Sequence, residues 1–451
     1  MLPTIRHDEY LYPVPKFNLG HKDVKDFMTE LTGFYEYFAC CFQRSESREH
    51  FLKYMAGQFC SLERKSIEPI ALAIKDGNVR AMQRFVSDTT WETEKMIAKY
   101  HSLVNDDLGH PDGALIFDES GFIKKGHDSI GVGRQYSGAA GKVDNCQVGV
   151  FAAYVSEQGY SLVDKRLFIP ENWFAEVFLE RRTKCLLPPE TVYKTKPQLA
   201  VEMLHAFTQE NTIPYKYVLA DSVYGVSPDF IRAVEALPEK TYFVSVPKTT
   251  LCWSKEPLSI TKTYQWGGKT RTKTTLVDPD SKPITVEKLA RTINEYFWYR
   301  RTVSEGSKGP IVYEFTRRRI TLAAEGIPIK TVWLVIRRKL DNKQQYDFFI
   351  SNAPADIRLK TFVWLSGLRW AIEQCFEETK SDLGMDHYEV RKFPGWHHHM
   401  LTTMLAHFFL WHLKIRLGKK STVYYDIAAW STLDGYITIE TKHAKCTSFK
   451  D

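Results

Sequence analysis

Apolar residues recur every three or four positions from about residue 22 to 107, in "VKDFMTELTGFYEYFACCF" and "VRAMQRFVSDTTWETEKMIAKYHSLV". This spacing predicts amphipathic helices, and no strand-like alternation interrupts it. Ser87, Asp88 and Thr89 before "WETEKM" read as a helix end and a capped restart. The pattern changes at "HPDGALIFDESG". Short β-rich runs follow at Ala114–Asp118, "CQVGVFAAYVS" and "YSLVDKRLFI", with Gly-containing breaks that suit antiparallel strands. A helix is expected over about 189–208, a strand at "YKYVLAD", a helix at "SPDFIRAVEAL" and a strand at "TYFVSV". From about 248 to 355 strand-like pieces rich in Thr, Tyr, Val and Trp predominate, and only "TVEKLARTI" reads as helical. Helices resume at "LRWAIEQCFEETKSDLG" and "WHHHMLTTMLAHFFLWHLKIRL".

A chain of 451 residues is too long for one ordinary core, and its 43% hydrophobic content suffices for several packed units. The net charge of +7 is compatible with a nucleic-acid partner without requiring one. Eight cysteines show no paired short spacing of a zinc ribbon or redox motif, and read as reduced thiols of a cytosolic chain. The opening "MLPTIRHDEYLYPVP" lacks the apolar core of a signal peptide, and runs such as "MLAHFFLWHL" are too short to span a membrane. The expected protein is soluble, not exported and free of membrane contact.

Within "LRWAIEQCFEETKSDLG", Arg369, Glu373 and Lys380 fall within about 40° of one another around a helix axis. Leu365, Leu368, Ile372, Phe376 and Leu383 form the neighbouring apolar line, which puts Glu373 at the edge of the buried face. Asp118 ends the apolar run "ALIF" and Asp221 ends "YVLA". An Asp at the carboxyl end of a buried strand is held rigidly and can face a cleft, although it can equally cap the following turn. Three converging carboxylates repel one another and so imply cations, and oxygen-only ligation favours Mg²⁺ or Mn²⁺ over zinc. Two such ions about 4 Å apart serve phosphodiester cleavage. The plainer alternative is a solvated helix face with Glu373 paired to Arg369.

"IFDESGFIKKG", "GVGRQYSG", "NCQVGVFAAY", "LADSVYG", "LRWAIEQCFEETKSDLGMDHYEVR" and "GWHHHM" together resemble the DDE endonuclease domain of bacterial insertion-sequence transposases. The resemblance runs from about 30 to 412 and points to the seven-hundred-one branch of the insertion-sequence-four clan. The family signature is Tyr, two residues, Arg, three residues, Glu, six residues, Lys. Arg369, Glu373 and Lys380 match it, and Ser366 stands at the Tyr position. The resemblance implies an α/β fold: a ribonuclease H-like catalytic core interrupted by a β-rich insertion domain, with an N-terminal all-helical domain. The corresponding expectations are 1–108 for the helical DNA-binding domain, 109–247 and 356–416 for the core, 248–355 for the insertion and 417–451 for a tail.

It further implies that Asp118, Asp221 and Glu373 are the catalytic, metal-binding triad, holding Mg²⁺ or Mn²⁺, with two ions. Arg369 and Lys380 would hold DNA phosphates, as a guanidinium fork and a point charge suit. Basic and aromatic residues interleave in "YQWGGKTRTKTT", "YFWYRRTV" and "YEFTRRRI", which suits backbone tracking and base stacking, as ordinary β packing also would. Trp298, with Arg300 and Arg301 beside it, is the candidate to hold a flipped base, and Trp266 is the second candidate. Lys124, Lys125 and Arg134 are further DNA-contact candidates. His397, His398 and His399 are adjacent and so diverge on a helix, which predicts a helix start with one His facing the active site and no zinc. Arg44, Arg48, Lys53, Arg64 and Lys65 make the most basic part of the N-terminal region. The implied function is a cut-and-paste DNA transposase of the bacterial cytoplasm or nucleoid that binds terminal inverted repeats and target DNA, as a dimer when assembled on them. The alternatives are a nuclease without strand transfer and a catalytically silent DNA-binding descendant.

Overall fold

The computed structural model describes residues 21–417 apart from 139–140 and 307–308. The first twenty residues, residues 418–451 of the expected tail and Cys446 lie outside the described residues. The helical periodicity is realised as α1 (His21–Ala39), α2 (Ser45–Phe59), α3 (Ile67–Ala73), α4 (Val79–Ser87) and α5 (Thr93–Leu108). The restart after α4 carries no side-chain cap, because Thr89 Oγ1 donates back to Arg84 O and Glu92 occupies the N-cap.

These helices do not stand apart from the rest. Phe27 and Phe34 pack on Phe409, at 5.4 and 5.1 Å between ring centroids, in a long helix near the end of the described chain. Lys53 and Lys65, expected in a basic DNA-reading region, are buried. Lys53 Nζ donates to Asp76 O and pairs with Glu49, while Lys65 Nζ donates to the carbonyls of Gln58 and Asp382. Both chains trade water for internal acceptors, which removes them from any open basic surface. Arg48 donates to Phe42 O and Arg64 pairs with Glu389, whereas Arg44 stays exposed.

The strands that follow are β1 (Ala114–Ile123), β2 (Gly133–Ser137), β3 (Lys142–Val155) and β4 (Tyr160–Phe168), then α6 (Leu179–Lys184) and α7 (Lys196–Glu210). Next come β5 (Tyr217–Ala220), α8 (Ser222–Gly225), α9 (Pro228–Glu235) and β6 (Thr241–Val246). The 248–355 region supplies β7 (Leu251–Trp253), β8 (Ser259–Trp266), β9 (Lys269–Leu276), β10 (Ile284–Thr285), α10 (Val286–Arg291), β11 (Tyr299–Gly306), β12 (Gly309–Ala324), β13 (Ile327–Lys339) and β14 (Tyr346–Ser351). The described chain closes with α11 (Leu359–Leu368), α12 (Trp370–Ser381) and α13 (Phe393–Leu417).

One mixed sheet unites most of these strands. Its central order is β4-β3-β1-β5-β6, with β1, β5 and β6 parallel and β3 antiparallel to β1. The 248–355 region is therefore not a sheet of its own. β14 pairs with β6, and the ladder continues through β13, β12, β7 and β10. Among the described residues only β8 and β9 form a separate two-stranded ribbon.

Side-chain alternation along β1 decides which helices cover which face. Phe117 packs on Phe230 of α9, while Phe151 of β3, opposite Asp118, packs on Phe376 of α12 and Trp396 of α13. Asp118 thus faces the α12 layer. The apolar run in α13 is buried between this sheet and the N-terminal helices, and among the described residues no helix is long and apolar enough to cross a membrane. The seven described cysteines are free thiols.

Candidate active site

β1 continues to Ile123, so Asp118 is not at the strand's carboxyl end as its position after "ALIF" suggests. The neighbouring strand is what ends there. β5 pairs with β1 only as far as Ala220 opposite Phe117, which leaves Asp118 and Asp221 next to each other where the parallel ladder stops. Asp221 also does the plainer job, since its Oδ1 accepts from Val223 N at 2.8 Å and caps the short helix α8. Gly225 lets that helix sit on β6, because a Cβ there would come 2.0 Å from Ser245 O. Capping and close approach together fix where the Asp221 carboxylate stands.

Burial, and after it the Asp221 carboxylate, push the Asp118 carboxyl up to about 7, against the pull of Arg369. Burial and then Glu119 raise Asp221. Glu119 is a residue that sequence reasoning passed over. It points to the other face of β1, accepts from Lys196 Nζ at 2.7 Å and from the Tyr224 hydroxyl at 2.9 Å, and so ties α7 and α8 to the strand that carries Asp118. Its signal was available as an acidic residue directly following Asp118 in a buried run.

The helix expected over 368–384 is realised as α12 from Trp370 to Ser381, with an interruption at Arg369. α11 ends at Leu368, and Arg369 stands at the junction with helical angles while its N–H reaches back only to Gly367 O. From the junction its guanidinium spans two acids: Nη2 lies 2.8 Å from Glu373 Oε1, and Nη1 lies 3.9 Å from Asp118 Oδ2. The Arg369–Glu373 pair across one turn is therefore present, and Asp118 joins it. Lys380, two turns on, lies along β1 with Nζ 3.4 Å from Gly121 O and 5.3 Å from the Phe122 ring centre, and burial lowers its pKa. The charged line read from the sequence thus runs parallel to β1. Ser366, at the signature's Tyr position, is buried and donates to Val363 O within its own helix.

Other candidates fare differently. Lys124 is tucked under the chain near Tyr388, donating to Tyr388 O at 2.8 Å with Nζ 3.3 Å from the ring centre, and burial pushes its pKa down to about 7. It is not the solvated phosphate contact expected of it. Lys125 and Arg134 are exposed. Trp298 is 8% exposed beneath the Arg338 guanidinium, 3.9 Å from the ring centre, and Arg338 is in turn held by Glu295 and Glu314. Its ring face is closed to a base, because a core position and a buried ion pair claim it. Trp266, the second candidate, is 68% exposed, and Arg300 and Arg301 are exposed on β11. His398 bonds Val86 O and stacks on Trp91, and His399 sits between the Tyr54 hydroxyl and Met385 O. His397 is half-buried beside Phe393 and Trp396, so the three histidines pack α13 against its neighbours and do not line the Asp118 edge.

The donors at this edge are oxygen only, and the Asp118 carboxyl is raised by burial first and by the adjacent Asp221 carboxylate second, with Arg369 offsetting only part of it. That chemistry fits a hard divalent cation. Among the described residues no three acidic, His or Cys side chains are gathered closely enough to hold a metal as they stand, and Glu373 is engaged by Arg369. A cation at Asp118 and Asp221 would have to draw Glu373 away from that guanidinium.

A family model described as DDE superfamily endonuclease matches residues 37–310, spanning Asp118 and Asp221 and ending before Glu373. The probable transposase for insertion sequence element IS701 of Microchaete diplosiphon is 25% identical over 363 residues, which cover 80% of this chain and 81% of that protein. A cryo-EM structure of the piggyBac transposase synaptic complex with hairpin DNA aligns with a TM-score of 0.42 and 8% identity, over 91% of this chain and 77% of that one.

Proposed function

The chain belongs to the DDE superfamily endonucleases, and from that premise we propose that it is a DNA transposase that cuts at transposon ends and joins the freed 3′ hydroxyls to target DNA. The observation that carries this reading is the adjacency of Asp118 and Asp221 at the end of the β1–β5 ladder, with Glu373 facing them from α12 through Arg369. The strand order β4-β3-β1-β5-β6 suits a ribonuclease H-like core. Asp118, Asp221 and Glu373 would hold Mg²⁺ or Mn²⁺. Held there, such ions would supply activation of an attacking water or hydroxyl and stabilisation of the leaving oxygen of the phosphodiester.

The protein's own side chains have separable tasks. Glu373 is 46% exposed, so its pair with Arg369 is worth roughly 0–1 kcal/mol and yields readily to a stronger partner. Once released, the Arg369 fork can take phosphate oxygens in two-pronged fashion. Lys380, held along β1, supplies a fixed positive charge three residues beyond Asp118. Glu119 positions β1 against α7 and α8 through Lys196 and Tyr224.

Labelled duplexes carrying the element's ends, supplied with plasmid target and Mg²⁺, test the assignment. A transposase gives cut ends and joined product, a nuclease gives cut ends alone, and a silent DNA-binding descendant gives neither. The second and third results would each reject the proposed function.

A further inference from the structure

β8 and β9 are joined by Gly267 and Gly268, both at positive φ (58° and 72°), the conformation a tight two-residue hairpin turn requires and glycine provides. Every residue of β8 is exposed, and the ribbon from Ser259 to Leu276 contains four cations and no carboxylate. Register sorts its side chains strictly. Lys262 faces Lys273, Tyr264 faces Arg271 and Trp266 faces Lys269, and alternation puts these three rungs on one side. The reverse side carries Thr261–Thr274, Thr263–Thr272 and Gln265–Thr270 rungs, two of which are closed by side-chain hydrogen bonds.

Two features of the cationic side call for an external partner. Like charges directly opposite each other destabilise a strand pair, and Lys262 faces Lys273 with no acid near in the ribbon to offset it. Among the described residues none of the four cations pairs with a carboxylate, a state they share with the exposed Arg300 and Arg301 of β11 but not with Arg337, Arg338 and Lys330 of the adjoining sheet. Two large rings also lie open on this side, Tyr264 at 43% and Trp266 at 68% exposure. An isolated two-stranded ribbon is marginal in water, so a ribbon built this way gains most from a polyanion that also offers flat surfaces.

We propose that the cationic side of the β8–β9 ribbon is a sequence-independent contact surface for duplex DNA. This rests on the transposase reading and adds a surface to it. Rungs on one side of a ribbon are spaced by roughly 6.8 Å, so three of them span about four base pairs of duplex. A two-stranded ribbon is also of a width that the DNA major groove admits. The four cations meet phosphates, and Trp266 at the tip supplies the apolar contact.

The test compares full-length wild type with Lys262→Gln, Lys269→Gln, Arg271→Gln and Lys273→Gln combined, and separately with Trp266→Ala. Binding to a 30-base-pair duplex of arbitrary sequence is read by fluorescence anisotropy across salt concentrations, beside Mn²⁺-dependent nicking of plasmid at low salt and binding to phosphatidylserine vesicles. The fourfold variant should bind the duplex at least tenfold more weakly, with a salt slope smaller by about 2–4, since each lost phosphate contact removes about 0.9. Its melting temperature should not fall, because all four positions are exposed and the opposed Lys262–Lys273 charges are removed. Trp266→Ala should weaken binding about three- to tenfold at an unchanged slope. An unchanged affinity and slope in the fourfold variant, while wild type binds and nicks DNA, overturns the ribbon proposal alone. A variant that loses vesicle binding and keeps duplex binding overturns it in favour of an anionic lipid surface. Wild type that neither binds nor nicks DNA overturns the transposase reading together with it.

Discussion

Around Asp118 two acidic side chains, Asp118 and Glu373, share the Arg369 guanidinium, whereas on the β8–β9 ribbon four cations share no carboxylate. The first region is partly buried and rigid. Asp118 and Asp221 are fixed by strand ladders and by hydrogen bonds from Glu119 N and Val223 N. The second is open on both sides and touches little else. Burial makes uncompensated charge costly, so the acids at the sheet edge pull in the nearest cation, and one carboxyl is held up near 7. Exposure makes the same imbalance cheap, so the ribbon can keep its cations unpaired until DNA arrives. In both regions charge left unbalanced by the chain marks where something from outside is to bind.

The largest effects are expected at the acids. Asp118→Ala and Glu373→Ala should each lower single-turnover cleavage on the order of a thousandfold or more, with duplex binding nearly intact. Near-normal cleavage in either variant removes that residue from the site. Next is Arg369, whose role as an internal counter-charge separates it from a simple DNA contact. Arg369→Gln should lower the melting temperature of metal-free protein by about 1–3 °C. It should also reduce the Mn²⁺ concentration needed for half-maximal thermal stabilisation by up to about fivefold, because a competitor worth roughly 1 kcal/mol has gone. Cleavage should still fall, and Arg369→Lys should not restore it, since an ammonium cannot span two acids or two phosphate oxygens. An unchanged Mn²⁺ requirement would mean that Arg369 does not compete for the acids.

Lys380→Ala should cost about tenfold in cleavage, less than Glu373→Ala, while leaving Mn²⁺ stabilisation unaltered. A lowered melting temperature with normal cleavage would instead make Lys380 a structural tie to Gly121 O. The smallest effect concerns Lys124, a cation that burial has taken out of the DNA-facing set. Its folded pKa of about 7 lies below the ordinary lysine value. Stability is therefore full above the unfolded pKa and declines as pH falls towards 7. Lys124→Met should raise the melting temperature most at pH 7, and the difference should shrink towards pH 10. A constant difference across that range would place the ammonium in solvent.

Much of this site could be read from the chain alone. The runs leading into Asp118 and Asp221 are apolar with β-branched or aromatic content, and Arg369, Glu373 and Lys380 follow from helical spacing. What could not be read depends on partners distant in sequence. Lys65 looks basic and open until Asp382 is brought to it, Lys124 until Tyr388 covers it, and Trp298 until Arg338 closes its ring face. Periodicity cannot distinguish Trp298 from Trp266, since both sit in strand-like, basic surroundings; only tertiary packing buries one and exposes the other. The joining of the 248–355 strands to the central sheet through β14 and β6 was hidden for the same reason.

The most direct test is DNA cleavage by the purified full-length protein in Mg²⁺ and in EDTA, with Asp221→Asn run alongside. Cleavage is expected in Mg²⁺, none in EDTA, and none by Asp221→Asn under either condition, although that variant keeps an oxygen acceptor for the α8 cap and should stay folded. Equal cleavage with and without the metal, or an Asp221→Asn variant as active as wild type, would contradict that expectation.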